Sequence, residues 1–371
     1  MWGGAVIRFK KSTQNSVCGD VFLRYAKGKD HFLFRLGRVI GWDEFTPVFV
    51  KAYKGGARIG EAPYHPLVLF KMLLLAHLFK TSERSVEDLC TWYIPARLFI
   101  GLGAIDSVPD HSTLSVFKRR LKKHAGIADF EAIFDGIILQ AVARGVQFGS
   151  IQIVDSVHTV ANVNNEKDRE RHEQGKPSAD PDATLVHKGK RKVTKADGGV
   201  EQQELMHLGY KTHVSLDAET GLVTSIKPTT GCSADNKQMP DLIEHDMRLG
   251  IPGQVYTADK AYDDGDLHEL LKTKGKRSAI HLTKQRTEKK DDSKGPWLAQ
   301  IADPLYQAGL KVRYRIERTF GEAKLWHHLG QCRSRGLLNF KIQSYMTFMV
   351  INLKRLVYLT TGIRLRQVLA Q

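Results

Sequence analysis

Three carboxylates lie in segments of different character. Asp155 closes the apolar run Ile-Gln-Ile-Val-Asp, Asp259 closes Val-Tyr-Thr-Ala-Asp, and Glu317 lies inside the basic run from Arg313 to Lys324. In-line cleavage of a phosphodiester needs a deprotonated attacking oxygen and a stabilised leaving oxygen, and two Mg2+ ions about 4 Å apart accomplish both. Mg2+ favours carboxylate oxygens and keeps waters, so two or three Asp or Glu side chains with substrate phosphates make a sufficient site. Two acids at strand ends and a third on a helix meet that need, because open α/β sheets carry functional groups at the carboxyl ends of strands. Each acid also has an ordinary reading. An Asp at a strand end commonly serves the next turn or caps the next helix. Asp263, Asp264 and Asp266 follow Asp259 closely, the first two as candidate caps, and Glu317 alone would pair with Arg313 at i−4. The constellation favours chemistry, since Arg313, Arg315, Arg318 and Lys324 gather around the third acid.

The rest of the chain is basic. Among 371 residues, 56 are Lys or Arg and 40 are Asp or Glu, a net charge of +16 that draws the protein to a polyanion, nucleic acid first. The four cysteines, Cys18, Cys90, Cys232 and Cys332, form no C-x-x-C pair, which argues against a zinc ribbon or a disulfide framework. The first residues hold too short an apolar stretch for a signal peptide. The apolar run from Leu67 to Phe79 contains Lys71 and His77 and falls short of the roughly 20 residues that span a bilayer. The expectation is a soluble, cytoplasmic, nucleoid-associated protein with no membrane partner.

The elements that would position the acids follow from periodicity. Pro66 with Leu67, Phe70, Leu73, Leu74 and Leu78 predicts a helix, as a core element or an interface, and a second is expected from Ser85. Pro109-Asp-His-Ser-Thr113 is a cap cluster leading into an amphipathic helix whose polar face carries Lys118, Arg119, Arg120, Lys122 and Lys123. That helix is either a solvated surface element or part of a helix-turn-helix-like unit set against phosphates. After a further apolar helix comes a strand from Ser150 to Asp155. The polar stretch 162–204, with the basic cluster from Lys188 to Lys195, reads as a charged surface insertion unable to order itself. Leu208 to Leu216 and Leu222 to Lys227 form a hairpin. A helix from Ser233 to Arg248, a strand to Asp259, a helix from Asp264 to Lys274 and a strand near Ser278 to Leu282 follow. After a charged linker from Lys284 to Gly295 come one long helix from Val312 to Leu329 and an apolar one from Phe340 to Tyr358. Three strands, helix, strand, helix, strand, helix is the order of a ribonuclease-H-like α/β core, expected over 146–371 behind an all-α domain over 1–145.

These segments resemble a family. Ile-Val-Asp-Ser at Asp155, Thr-Ala-Asp-Lys-Ala-Tyr-Asp-Asp at Asp259 and Tyr-Arg-Ile-Glu-Arg-Thr-Phe-Gly-Glu-Ala-Lys-Leu-Trp at Glu317 look like the three motifs of bacterial insertion-sequence DDE transposases. Pro-Tyr-His-Pro-Leu-Val-Leu-Phe-Lys-Met, Ser-Glu-Arg-Ser-Val-Glu-Asp-Leu and Val-Pro-Asp-His-Ser-Thr-Leu-Ser-Val-Phe resemble the InsH-type front of such proteins. The resemblance implies Asp155, Asp259 and Glu317 as catalytic metal ligands for two Mg2+ ions, with Mn2+ able to substitute. It implies Arg313, Arg318 and Lys324 as DNA contacts near the scissile bond. It also implies end recognition by the front helices, nicking at the terminal inverted repeats, joining of the freed 3′ hydroxyl to target DNA, and a homodimer or larger synaptic complex. The third motif departs at one place, since Leu310 stands where the family has a tyrosine. A ribonuclease-H-type nuclease and a DNA-binding protein derived from a transposase are the competing readings.

Overall fold

The computed structural model describes residues 8–13, 31–51, 53, 62–124, 126–194, 200–284, 286 and 295–365. Cys18, Lys195 and most of the expected linker from Lys284 to Gly295 lie outside them. The chain divides into two compact units, residues 1–146 with 346–371, and residues 147–345. Among the described residues no helix is long and apolar enough to cross a membrane.

The first unit is helical: α1 (Phe32–Val39), α2 (Thr46–Val50), α3 (Pro66–Leu78), α4 (Glu83–Trp92), α5 (Ile94–Phe99), α6 (His111–His124) and α7 (Gly126–Ala143). α3 is buried along its whole length apart from Lys71, which makes it the core helix of this unit. Lys71 keeps its ammonium 5.0 Å from the Trp42 ring and 5.3 Å from Phe99, and burial draws its pKa down to about 8. α4 begins two residues before the expected Ser85, because Ser82 is the cap and accepts from the Ser85 N–H at 3.0 Å. Asp110 does the same for α6, accepting from the Thr113 N–H at 2.6 Å.

The second unit is built on a six-stranded mixed sheet: β1 (Ile151–Val160), β2 (Thr184–Thr194), β3 (Val200–Asp217), β4 (Val223–Thr230), β5 (Val255–Ala258) and β6 (Arg277–Ile280). The order is β2-β3-β1-β5-β6, with β4 also on β3. β1, β3 and β4 pair antiparallel, whereas β5 joins β1 and β6 joins β5 in parallel. This is the ribonuclease-H-like arrangement the element order predicts. Alternation along the strands sends Val154, Tyr256, Ala258 and Ile280 to one face, under α9 (Met239–Arg248) and α10 (Gly265–Thr273). Val255 and Ala279 go to the other, under α11 (Gly295–Ala302) and α12 (Pro304–Val312). α12 lies so close to the sheet that a Cβ at Gly309 would come within 2.6 Å of the Ala279 methyl.

Three expectations are corrected. The described residues of the stretch 162–204 are ordered: they hold α8 (Asn165–Glu173) and β2, which pairs with the first half of β3 from Thr194↔Val200 to Thr184↔Gly209. Ladder hydrogen bonds come from the backbone, so a polar composition that argues against a core does not argue against a hairpin. Second, β1 runs through Asp155 to Val160, because Ser156 to Val160 pair antiparallel with His213 to Gly209. Third, the helix expected from Val312 to Leu329 is shorter, α13 (Arg315–Trp326), and it is preceded by a turn at Arg313 and Tyr314 that separates it from α12, a helix the periodicity did not signal. The last helix, α14 (Leu337–Thr361), begins in the second unit and ends in the first.

Candidate active site

Sheet register brings the first two acids level. The parallel ladder pairs Ile151 with Val255, Gln152 with Tyr256 and Ile153 with Thr257, and two more residues in the same register set Asp155 beside Asp259. Asp155 thus stands mid-strand on the antiparallel side and just past the ladder's end on the parallel side. Asp259 leaves β5 and turns the chain, its carboxylate accepting from the Ala261 N–H at 2.8 Å. The capping reading of Asp259 therefore holds, and it leaves the residue at the sheet's carboxyl edge.

The third acid reaches the pair through an arginine. The turn between α12 and α13 presents Arg313 with one guanidinium nitrogen 3.8 Å from an Asp155 oxygen and another 3.5 Å from Glu317. α13 buries Ile316, Phe320 and Ala323, which leaves Glu317 and Arg318 on its exposed side, the Glu317 side chain 63% accessible. Glu322, the other acid of this helix, turns away to His327, 3.6 Å distant and buried. Lys324 lies on the side of His158, whose pKa is held down to about 4 by burial, with the charges of Lys211 and Lys324 among the added causes. Leu310, where the resemblance expects a tyrosine, packs on the Val255, Ala279, Leu282 and Tyr306 cluster, while Tyr314 is exposed.

Asp155 is the electrostatic centre. Its side chain is 21% accessible, and its pKa is pushed up to about 6, first by burial and then by the charges of Asp259 and Asp235. The Ser156 N–H, donating to it at 2.7 Å, and Arg313 work in the opposite direction. A carboxylate short of donors beside a second carboxylate gains from any cation, and hard carboxylate oxygens suit a divalent one. The donor set fits, although among the described residues no three His, Cys, Asp or Glu side chains are already gathered as a metal cage.

The sequence reading missed Asp235, placing it inside a helix that in fact starts only at Met239. Asp235 meets Lys211 at 3.2 Å and His213 at 3.4 Å, both on β3. Only the β1–β3 pairing makes these residues neighbours of the site, so no spacing along the chain signals them.

In the other unit the five basic residues of α6 separate. Lys118, Arg119, Lys122 and Lys123 line, with Ser115, a concavity of about 400 Å3. Arg120 instead sits 5.5 Å over the Tyr53 ring. α6 is braced on α4 by Lys118 and Ser115 to Glu83 and by His111 to Glu87 at 2.9 Å. Since α5 and residues 100–110 intervene between them, the pair departs from a helix-turn-helix, in which consecutive helices meet across a short turn.

Residues 21–120 match the family model described as a transposase domain (DUF772), and residues 173–353 match that described as a transposase DDE domain. Asp259 and Glu317 fall inside the second range and Asp155 just ahead of it. Among solved structures, the chain is similar to the piggyBac transposase synaptic complex with hairpin DNA, with TM-score 0.43, 10% identity, and 91% of this chain and 82% of that chain covered. It is also similar to the Mos1 mariner paired-end complex with Mn, with TM-score 0.22, 9% identity, and coverages of 87% and 88%. Likeness at these TM-scores carries no argument, so the assignment rests on the two family models, which together take in most of the sequence, and on the motifs and sheet order. The chain belongs to the insertion-sequence DDE transposases.

Proposed function

We propose that this DNA transposase cuts at the ends of its element and joins the freed 3′ hydroxyl to target DNA at one site, formed by Asp155, Asp259 and Glu317. The observation that carries the assignment is Arg313 bridging Asp155 and Glu317 at 3.8 and 3.5 Å, with Asp259 in register beside Asp155. The family works with divalent metal ions. The three acids would hold two Mg2+, with Mn2+ able to substitute, and ions held there would supply activation of the attacking oxygen and neutralisation of the leaving one.

The chain's own residues do the rest. Arg313 keeps Asp155 and Glu317 together before DNA enters and offers its guanidinium to a phosphate afterwards. Arg318 and Lys324 contact DNA phosphates near the scissile bond. Lys118, Arg119, Lys122 and Lys123 grip duplex DNA of the terminal inverted repeats through its phosphates, while Arg120 lies over the Tyr53 ring. Two ends have to be brought together, which calls for a homodimer or a larger synaptic complex.

The test is a cleavage assay with Mg2+ and a duplex carrying the element's own ends. Asp155→Asn, Asp259→Asn and Glu317→Gln should each bind the duplex and fail to cut it, while Glu322→Gln cuts normally. Cleavage by Glu317→Gln together with loss in Glu322→Gln would move the third acid to Glu322.

A further inference from the structure

Asp235 belongs to none of the three motifs, yet it is bound to the strand that flanks Asp155. Ser156 of β1 pairs with His213 of β3, and the His213 Nδ1 lies 3.4 Å from an Asp235 oxygen. Two residues earlier on the same strand, Lys211, only 13% accessible, donates to the same carboxylate at 3.2 Å and to the Ser233 carbonyl at 3.1 Å. Burial holds the His213 pKa down to about 4, so at neutral pH the ring is uncharged and Lys211 is the cation paired with Asp235.

A second observation points into the same space. Tyr262, 1% accessible, buries its hydroxyl near Ser156. Burial, then the charges of Asp235, Asp155 and Asp259, raise its pKa well above that of a free phenol, with the Ser156 side chain working the other way, so all three acids act on this buried group. Asp155, Asp259, Asp235 and Glu317 thus bring four negative charges to this edge of the sheet, against the positive charges of Arg313 and Lys211.

We propose that Asp235 is a positioning carboxylate: fixed by Lys211, with the His213 ring beside it, it sets the negative field at Asp155 and thereby the affinity of the acid pair for a divalent cation. The inference rests on the proposed metal-holding role of Asp155 and Asp259. An acid outside the ligand set acts through the field it adds, and losing such an outer group costs about 10- to 100-fold in metal affinity. Removing Lys211 takes away the opposing charge and must act with the opposite sign.

Mn2+ alone is the probe, titrated into the full-length protein and followed by the electron paramagnetic resonance of the free ion. Asp235→Asn should weaken Mn2+ binding about 10-fold, Lys211→Gln should tighten it, and Asp155→Asn should abolish it. If Asp155→Asn abolishes binding while Asp235→Asn and Lys211→Gln leave it unchanged, Asp235 is a fold contact only and the inference is overturned with the acid-pair reading intact. If Asp155→Asn leaves binding unchanged, or the wild type binds no Mn2+, the acid-pair reading falls and takes the inference with it. Should Asp235→Asn fail to fold, by circular dichroism, Lys211→Gln decides alone: tighter binding supports the inference, and unchanged or weaker binding overturns it.

Discussion

Two acids of the same sheet edge, Asp155 and Asp263, have opposite surroundings. The Asp263 side chain, 0% accessible, accepts from the Thr283 N–H at 2.8 Å and sits 3.0 Å from His268 Nε2 and 2.7 Å from Arg286 Nε. Burial alone would raise its pKa, but those partners outweigh it and hold the group below the ordinary carboxylate range. Arg286 is itself set 4.5 Å over the Trp297 ring, so the network closes on itself. Asp155 has one backbone donor and a distant arginine, two acids as neighbours, and a pKa near 6. An acid saturated with donors fixes a loop. An acid left short of them keeps its charge available to a cation that arrives with the substrate.

The widest separation between the two should come from exchanging each for a neutral residue. Asp155→Asn should lower strand cleavage by at least about 1,000-fold, with melting temperature unchanged or raised, because the lost charge was poorly compensated. Asp263→Ala should do the reverse. Breaking a buried, fully partnered carboxylate costs about 3 kcal/mol, read as a fall in melting temperature, while cleavage at 25 °C stays within about tenfold of wild type. A stable, fully active Asp155→Asn would erase the contrast.

Asp246 sharpens it, because it shares only half of the Asp155 environment. It is fully buried, accepts from the Ser215 hydroxyl at 2.7 Å, and has its pKa pushed up to about 6 by burial against the pull of Ser215 and Thr224. No second charged acid faces it and no solvent reaches it, so it has no access to a ligand. A folded-state pKa above the unfolded value means that stability is lost as pH rises from about 4 through about 6. That loss amounts to roughly 2–3 kcal/mol. Asp246→Asn should be free of it. The melting temperature of the variant relative to wild type should therefore be higher at pH 7.5 than at pH 4.5, with cleavage unaffected.

How much of this was legible in the sequence depends on what set each position. The strands β4 to β6 followed from alternation and α10 from its Asp264 cap, both local properties, whereas β2 was missed and α9 starts six residues after the expected Ser233, with no side-chain cap. Asp155 was read as a strand end because the apolar run closes there, but the antiparallel partner that extends β1 to Val160 is some fifty residues away. The break at Arg313 and Tyr314 left no mark, since neither Gly nor Pro stands there. Packing of Gly309 against Ala279 and of Ile316 in the core sets the two helix directions. Asp235 was invisible for the same reason as Lys211 and His213: what unites them is a sheet pairing, and pairing has no signature in spacing.

The same rule, carried over to cations, gives the smallest expected effect. On α6, Lys118 is already saturated by Glu83, and Arg120 rests on Tyr53. Lys122 lines the same concavity as Lys118, and burial together with the charge of Lys118 lowers its pKa, so it is the lysine most in want of an anion. A phosphate contact made by Lys122 adds about 0.9 to the slope of log affinity against log salt. Lys122→Ala should remove about that much from the slope, measured with duplex DNA between 50 and 200 mM salt, and weaken binding equally on any sequence. Arg120→Ala should leave the slope alone, and Lys118→Ala should change it less than Lys122→Ala, because the Lys118 ammonium is already paired with Glu83 and has less to give a phosphate. An equal loss of slope in all three would mean that α6 meets DNA as a uniform positive surface, and that partner saturation distinguishes acids in this protein but not bases.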